Sequence, residues 1–313
     1  MKQKTIGSSF ELEGKGLHTG LYIHFKALPA PANSGMRIRR TDLEGQPEIA
    51  LVAENVQDTM RGTVLRNELF QVSTVEHALA AFYAAGIDNC LFEVDGPEFP
   101  ILDGSARHYV EKLAEVGVDE LDAEKTFLVI DTPLEYSLEN GSTIQAYPAD
   151  RFEVEVIIGF NSPVLPEQSA VLTDMSRFGD EISSARTFVF VREIEPLITM
   201  NLIKGGDLQN AIVIYDRPMT QESMDAITDK LSHEPVDASR LGYLSGPLHF
   251  ENEPARHKLL DVIGDLALVG HPVKGRIVAR YPGHKVNTEF AKYLRTHYSL
   301  SKNDQSTLSF HTS

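Results

Sequence analysis

The stretch RHKLLDVIGDLALVG, residues 256–270, carries a helical pattern with two chemically different faces. At about 100° per residue, His257, Asp261 and Asp265 fall within about 80° of arc, with Lys258 beside them. The opposite side is apolar and consists of Leu259, Leu260, Val262, Ile263, Leu266 and Ala267. The pattern predicts an amphipathic helix that packs one face against a core and carries an ionisable stripe on the other.

This ionisable stripe has two interpretations. It can be a solvated face, stabilised by side chains that pair one helical turn apart. It can also be part of a metal site, because His257 and Asp261 are one turn apart and can both reach a single ion. Two ligands do not make a site, so this helix by itself leaves both interpretations open.

A second helix is predicted over residues 73–86, and it too has two interpretations. Its first residues, Ser73 to Glu76, match a capping box, in which Glu76 bonds back to the cap. Alternatively, His77 supplies a third metal ligand and Glu76 is a base beside it. A catalytic zinc commonly has three protein ligands and lowers the pKa of its water to about 7.

Two further segments contain candidate catalytic groups. Gly283 follows a predicted strand over residues 276–281 and favours a sharp turn that leaves His284 projecting. His284 is then either an ordinary loop histidine or, if it faces the metal, a general acid oriented by Asp265. Thr187 precedes a strand-like pattern typical of core packing, but its hydroxyl could instead bond a developing oxyanion.

Composition narrows the functional classes. A length of 313 residues suggests about two domains. A net charge of −16 opposes general binding to nucleic acid. Because Cys90 is the single cysteine, an intramolecular disulfide and a Cys-rich zinc site are impossible, and we expect Cys90 to be a core residue. We expect no secretory signal and no membrane span, which places the protein in the cytoplasm.

Strands and about two helices are predicted in each half, which indicates α+β layering. The polar segment 43–57 is interpreted as an excursion from a core sheet. The short, charged segment 120–125 predicts a domain boundary, and a polar, frayed tail is expected from residue 301.

Nine motifs, in order, resemble a known family over about residues 1–297. They are GKGLHTG (14–20), STVEH (73–77), GIDN (86–89), VDGPEFPILDGS (94–105), ARTF (185–188), GG (205–206), NAIV (210–213), RHKLLDVIGD (256–265) and GH (283–284). In this set and order they resemble the zinc-dependent UDP-3-O-acyl-N-acetylglucosamine deacetylases of lipid A biosynthesis.

The resemblance implies a fold of two similar domains, each a small, mainly antiparallel sheet with a pair of helices, and the helices are sandwiched between the two sheets. The domains are expected at residues 1–122, with an insert near 41–61, and 123–300, with an insert near 190–215. The second insert would form an apolar passage for the acyl chain. Its expected apolar residues are Phe188, Phe190, Ile194, Leu197, Ile198, Leu202 and Ile203.

The resemblance also assigns roles to individual residues. The expected metal ligands are His77, His257 and Asp261, and the expected cofactor is one catalytic Zn²⁺ per chain, with Fe²⁺ as the other candidate. The expected catalytic residues are Glu76 as general base, His284 as general acid with Asp265 as its partner, and Lys258 and Thr187 at the oxyanion. The expected substrate contacts are Phe188, Phe190, Lys258, Gly205 and Arg280.

Three positions depart from the family pattern. Tyr281 stands where Lys is frequent, which leaves open whether the neighbouring Arg280 supplies the diphosphate contact. Val189 stands where Gly is common and could narrow the passage. Lys285 follows His284 where a small residue is usual.

The implied reaction is hydrolysis of the N-acetyl group of UDP-3-O-(3-hydroxyacyl)-N-acetylglucosamine to acetate and a free 2-amine, an early committed step of lipid A biosynthesis. Two alternatives stay open: a related zinc amidase with another substrate, and a non-catalytic, metal-free module that binds sugar nucleotides. We expect a small-molecule substrate, no nucleic acid and a Gram-negative-type bacterium. A C-terminal fusion to a hydroxyacyl-carrier-protein dehydratase is also considered; otherwise a monomer is expected.

Overall fold

The computed structural model describes residues 1–200, 202–230, 234–298 and 300–301. The side chain of Ile198, expected in the acyl passage, and the expected tail beyond Ser301 lie outside the described part of the chain. None of the helices in these ranges combines the length and the apolar composition needed to cross a membrane.

The strands follow in chain order. They are β1 (Lys2–Ile6), β2 (Phe10–Lys15), β3 (Tyr22–Pro29), β4 (Met36–Arg40), β5 (Glu48–Ala50), β6 (Val56–Asp58), β7 (Val64–Arg66), β8 (Gln71–Val72), β9 (Cys90–Val94), β10 (Val118–Glu124), β11 (Phe127–Val129), β12 (Leu134–Ser137), β13 (Thr143–Tyr147), β14 (Phe152–Ile158), β15 (Gln168–Leu172), β16 (Phe188–Phe190), β17 (Ile212–Tyr215), β18 (Gly242–Tyr243), β19 (Val273–Arg280) and β20 (Leu300–Ser301).

The helices are α1 (Glu76–Ala84), α2 (Arg107–Val116), α3 (Phe178–Glu181), α4 (Val191–Thr199), α5 (Gln221–Lys230), α6 (Glu253–Leu266) and α7 (His284–His297). Short 3₁₀ helices occupy Ala53–Asn55, Met175–Arg177 and Ala267–Val269.

The first sheet has the strand order β2-β3-β9-β4-β5 and is antiparallel except where β4 pairs with β9. Alternate residues of β3 point into the core, as the two-residue period of a strand requires: Ile23, Phe25 and Ala27 are buried. Helix α1 packs on this face, where the Phe82 ring meets the Phe92 ring edge-on at 4.7 Å between centroids.

The second sheet has seven strands and is built around β19, which pairs with β13, β14 and β11. Helix α6 packs on β14 and β15, and α7 packs on β12 and β13. Because this sheet covers α6 on its outer side, the apolar stripe predicted from the sequence, including Leu259 and Ile263, is fully buried.

Helices α1 and α6 pack against each other between the two sheets. They approach closely at Gly264, where an added Cβ would lie 2.1 Å from the backbone oxygen of Glu76. Glycine at this position therefore allows the two helices to cross at the level of Glu76. The sheet–helix–helix–sheet arrangement confirms the predicted α+β fold class.

Three smaller features differ from expectation. The charged segment 120–125 is largely part of strand β10, which pairs antiparallel with β1, because backbone pairing and ion pairs such as Lys2–Asp122 hold an exposed strand there. Within segment 41–61, β5 completes the first sheet, and β6 belongs to a separate small sheet with β7 and β8, which follow the segment. The domain boundaries themselves stay a prediction.

The second expected insert, near 190–215, lies within a three-stranded sheet in the order β16-β17-β18, with α4 following β16. Its strands β16 and β17 are parallel, with Phe190 opposite Ile214. Val191, Ile194 and Val213 belong to a small hydrophobic cluster of their own beside the main core.

Candidate active site

Three candidate metal ligands meet where α1 and α6 cross. His77 comes from α1, and His257 and Asp261 come from successive turns of α6, so one ligand atom of each lies within 4.8 Å of the others. The His257 Nε2 atom is 3.4 Å from Asp261 Oδ1, and His77 Nε2 is 3.9 Å from the same oxygen. All three side chains are buried.

The donor set fits a metal ion in two respects. Asp261 Oδ1 is buried without a hydrogen-bond partner among the described residues, which is costly unless a further group binds it. The backbone oxygen of Ala185 lies 3.0 Å from His257 Nδ1 and accepts its proton, which leaves Nε2 directed at Asp261 with a free lone pair. The family interpretation of these ligands therefore agrees with the geometry.

Burial keeps both imidazoles neutral. It lowers the pKa of His77 to about 3, with the neighbouring His257 acting in the same direction. The pKa of His257 is also lowered, chiefly by burial. For Asp261, burial acts to raise the pKa, but Lys258 and His257 outweigh it and hold the pKa below its usual value. Neutral imidazoles and an ionised carboxylate are the forms that bind a metal.

Lys258 projects from α6 beside this cluster. Its Nζ donates to Asp261 Oδ2 at 2.9 Å and lies 5.5 Å from the centre of the Phe188 ring. One carboxylate oxygen of Asp261 is thus paired with a cation and the other is free for a ligand.

Glu76 is the first residue of α1 and is almost fully buried. Burial, with a further contribution from Asp265, raises its pKa to about 7, although His284 acts in the opposite direction. The capping-box interpretation of Glu76 is wrong: within the described residues no side chain caps α1, and the Ser73 hydroxyl donates to the backbone oxygen of Pro97 instead. The helix starts at Glu76 because the preceding Thr74 has a left-handed backbone, with φ of 58°.

His284 faces Glu76 from the opposite side of the cleft. Its Nε2 is 3.8 Å from Glu76 Oε1, and its Nδ1 is 2.9 Å from Asp265 Oδ2. Burial acts to lower the pKa of His284, but Asp265 and Glu76 raise it to about 9. A carboxyl with a raised pKa beside a histidine with a raised pKa is an arrangement suited to moving protons near neutral pH.

The local structure around His284 differs from the prediction. His284 is the first residue of α7 rather than a loop residue, and Gly283 is extended, with φ of −157°. The left-handed residue that turns the chain is Tyr281, with φ of 50°. Its hydroxyl donates to Glu167 and its side chain is exposed.

The cleft above this centre is lined by groups from several elements. Besides the residues already placed, its walls include Leu17, Thr59, Arg61, Ile101, Thr187 and Phe188. Thr187 lies in the wall next to Lys258 and His257, and its backbone N–H donates to Gly104 at 2.8 Å. The structure thus brings the predicted residues Thr187, Lys258 and His284 to one cleft.

A mainly apolar cavity continues from the cleft. The two spaces share Leu17, Arg61, Thr187 and Phe188. Ile194, Leu197 and Ile203, which were expected to line the acyl passage, are part of the cavity wall. Val189, one of the departures from the family pattern, lines it as well.

Three residues that were expected to contact the substrate line neither the cleft nor the apolar cavity. Phe190 shares its strand face with Phe188, as strand alternation requires, but it is buried against Phe160 in a small core cluster and lines neither the cleft nor the cavity. Gly205 is buried against the β2–β3 loop, where its N–H donates to the backbone oxygen of Leu17, so that Gly206 lines the cavity instead. Arg280 is exposed at the end of β19.

Two residues of the site were not predicted from the sequence: Arg61, which lines the cleft, and Thr63, which is buried behind it. Thr63 is fully buried and bonds to both Glu76 and Asp265. Arg61 lines both spaces and pairs with Glu193 of α4 at 2.9 Å. Both lie between β6 and β7 in a segment without a periodic pattern, so no sequence signal pointed to them.

Comparison with known proteins gives consistent matches. The family model described as LpxC: UDP-3-O-acyl N-acetylglycosamine deacetylase matches residues 3–296. The chain is 40% identical over 93% of its length to a UDP-3-O-acyl-N-acetylglucosamine deacetylase from Anaeromyxobacter dehalogenans, of which it covers 86%.

Other relatives are longer proteins. The chain is 54% identical, over 96% of its length, to the bifunctional enzyme LpxC/FabZ of Bacteroides thetaiotaomicron. It is 52% identical, over 94% of its length, to the protein of the same name from Porphyromonas gingivalis. The chain spans 66% and 64% of these two relatives, slightly less than two thirds of each.

Proposed function

This chain belongs to the UDP-3-O-acyl N-acetylglycosamine deacetylase family, and from that membership we propose that it hydrolyses the N-acetyl group of a UDP-3-O-(3-hydroxyacyl)-N-acetylglucosamine. The products are acetate and the free 2-amine, in an early step of lipid A biosynthesis. The observation that carries the proposal is the juxtaposition of Glu76 and His284 beside three convergent ligand groups at the mouth of an apolar cavity.

We propose His77, His257 and Asp261 as the ligands of one catalytic Zn²⁺, with Fe²⁺ as the other candidate. Two neutral imidazoles and one carboxylate are a ligand set that suits zinc and leaves a position open. When bound, the metal supplies Lewis acidity that polarises a carbonyl and acidifies water.

In this proposal Glu76 is the general base. Its pKa of about 7 means that a substantial fraction is ionised at neutral pH and can take the proton of the attacking water. Its position on the rigid first turn of α1 keeps the carboxylate beside the ligand groups, so the base needs no conformational change to reach the reaction.

His284 supplies the proton that the leaving amine needs. Its raised pKa keeps it cationic at neutral pH, and the bond to Asp265 holds Nε2 toward the cleft. Lys258 and Thr187 line the same cleft, where a cation and a hydroxyl can stabilise the oxyanion that develops on the amide carbonyl.

The apolar cavity is the proposed site for the acyl chain, with Phe188 at its junction with the cleft. Burial of methylene groups there contributes binding free energy of about 0.8 kcal/mol each. Phe190, Gly205 and Arg280 have no place in this proposal, because they line neither space.

The proposal is tested by assaying release of the free amine product. The wild type is compared with the variant Glu76→Gln and with the control variant Glu115→Gln. Glu115 lies on the exposed face of α2 and is the control for the loss of a carboxylate. We expect Glu76→Gln to lower kcat by about 10²–10⁴-fold, the usual contribution of a general base, with metal content unchanged. A chelator should abolish activity, and added Zn²⁺ should restore it.

Two results would contradict the proposal. If the wild type releases no amine from this substrate but cleaves another amide, the enzyme is a metal amidase of different specificity. If the purified protein binds no zinc, iron or cobalt and cleaves neither amide, it is the non-catalytic sugar-nucleotide module that the sequence left open.

Two of the relatives are longer than this chain and are named bifunctional LpxC/FabZ enzymes. We propose that a hydroxyacyl-carrier-protein dehydratase can be fused after a deacetylase unit of this kind. A cytoplasmic location in a Gram-negative-type bacterium is part of the same proposal, in agreement with the sources of the relatives.

A further inference from the structure

Thr63 connects two carboxylates that belong to different helices. It lies immediately before β7 and has no solvent exposure. Its backbone N–H donates to Glu76 Oε2 at 3.2 Å, and its hydroxyl donates to Asp265 Oδ1 at 2.5 Å. One residue of the β6–β7 connection therefore bonds both to the proposed base on α1 and to the partner of the proposed acid on α6.

The donors around Asp265 determine where the proton of His284 lies. Asp265 Oδ2 accepts from Asn287 Nδ2 at 2.9 Å and lies 2.9 Å from His284 Nδ1. An ionised carboxylate only accepts hydrogen bonds, so the Thr63 hydroxyl, the Asn287 amide and His284 Nδ1 must each donate a proton to it. Nδ1 is therefore protonated, and Nε2 is the nitrogen that exchanges protons in the cleft.

We propose that Thr63 is a positioning residue for the hydrolysis. Its hydroxyl holds the Asp265 carboxylate in the orientation that receives the Nδ1 proton, and through Asp265 it sets the orientation and tautomer of His284. The inference rests on the proposed function and extends it to a residue that touches neither the substrate cavity nor the three ligand side chains among the contacts described.

A second contact of Thr63 also requires a proton on His284 Nδ1. The Thr63 hydroxyl oxygen also lies 3.4 Å from His284 Nδ1. Because its single hydrogen is directed to Asp265, the oxygen can only accept from His284, which again requires a proton on Nδ1. Without the hydroxyl, Asp265 Oδ1 becomes a buried acceptor lacking this partner, and the carboxylate is free to rotate away from His284.

The kinetic test compares Thr63→Val, Thr63→Ser and Thr5→Val. Valine keeps the volume of threonine and removes the hydroxyl, whereas serine keeps the hydroxyl. Thr5 is the matched control, because it is buried on β1 and its hydroxyl bonds to the Asn89 backbone oxygen at 2.8 Å, outside the site. Thr63→Ala repeats the test if Thr63→Val does not fold.

We expect Thr63→Val to lower kcat about tenfold or more, with KM changed by less than about twofold and metal content unchanged. Thr63→Ser should retain most of the wild-type kcat, and Thr5→Val should retain all of it. An equal loss in the Ser and Val variants would overturn the proposal, because the hydroxyl would then not be the cause.

A second measurement does not depend on activity. Nitrogen-15 NMR of the histidine side chains in the metal-free protein reports which ring nitrogen carries the proton, and the His284 signals are identified by their loss in His284→Gln. We expect Thr63→Val to shift both His284 nitrogen signals, while Thr5→Val leaves them in place. Unchanged His284 signals in Thr63→Val would contradict the proposal.

The two readouts separate this inference from the proposed function. If the wild type releases no amine, the proposed function fails, yet a shift of the His284 signals in Thr63→Val still supports the coupling through Asp265. If the wild type is active and Thr63→Val changes neither kcat nor the signals, only the role of Thr63 is rejected.

Discussion

Glu76 and Glu253 are both buried glutamates at the first position of a helix, but their surroundings are opposite. Glu253 accepts hydrogen bonds from the Arg186 backbone and guanidinium and from the His249 backbone. Although burial acts to raise the pKa of Glu253, Arg186 holds it below its usual value. Glu76 accepts one bond from Thr63 and faces two further carboxylates, and its pKa is raised to about 7.

The difference shows what separates a structural carboxylate from a reactive one in this fold. At Glu253 the buried charge is matched, so the group stays ionised and holds the 185–188 segment against α6. At Glu76 the charge is not fully matched, so the carboxyl holds its proton more tightly than usual and exchanges it near neutral pH. The four predictions below test this contrast.

The largest effect is expected for Glu253→Gln. This change leaves the buried Arg186 guanidinium without its anion, which typically costs about 3–5 kcal/mol. Urea unfolding of the metal-free protein should therefore show a much lower free energy of unfolding than the wild type. A loss below about 1 kcal/mol would mean that the pair is not a structural anchor.

Glu76→Gln should have the opposite effect on stability. Because the folded-state pKa of Glu76 is raised above its unfolded value of 4.5, the fold loses stability as the pH rises from 4.5 to about 7, carries the full penalty above pH 7, and is unaffected well below pH 4.5. The metal-free variant should be more stable than the wild type by on the order of 2 kcal/mol at pH 8. Unfolding curves that show no gain at pH 8, or the same gain at pH 4, would contradict the contrast.

The pH dependence of kcat/KM should be bell-shaped. Glu76 must lose its proton to act as base, so activity rises through its pKa of about 7. His284 must keep its proton to act as acid, so activity falls again through its pKa of about 9. The two limbs belong to the interacting pair, and each should change the rate by about tenfold per pH unit outside the plateau.

The smallest effect is expected for Arg61→Met. The Arg61–Glu193 pair is partly exposed, and such pairs contribute about 0–1 kcal/mol to stability. The free energy of unfolding should therefore change by less than about 1 kcal/mol. A larger loss would show that the contact between the β6–β7 connection and α4 is an anchor comparable to Arg186–Glu253.

Much of the site could be predicted from local patterns. His257 and Asp261 lie one turn apart on a helix, and helical geometry alone places them on one face. His77 and Glu76 were candidates because they begin a second helix with a strong apolar period. Local reasoning was wrong where a local partner was assumed, as in the capping box, because the Ser73 hydroxyl bonds to Pro97 of another segment.

The sequence by itself determined the α+β class, the two amphipathic helices and the residue types able to hold a metal, because these depend on periodicity and on side-chain chemistry. Only the tertiary structure decided that α1 and α6 cross at Gly264, that Thr63 joins Glu76 to Asp265, and that Phe190 packs into a core cluster instead of the cavity wall. The physical reason is distance along the chain. Contacts between segments up to two hundred residues apart depend on how the two sheets enclose the helices, and no local pattern records that packing.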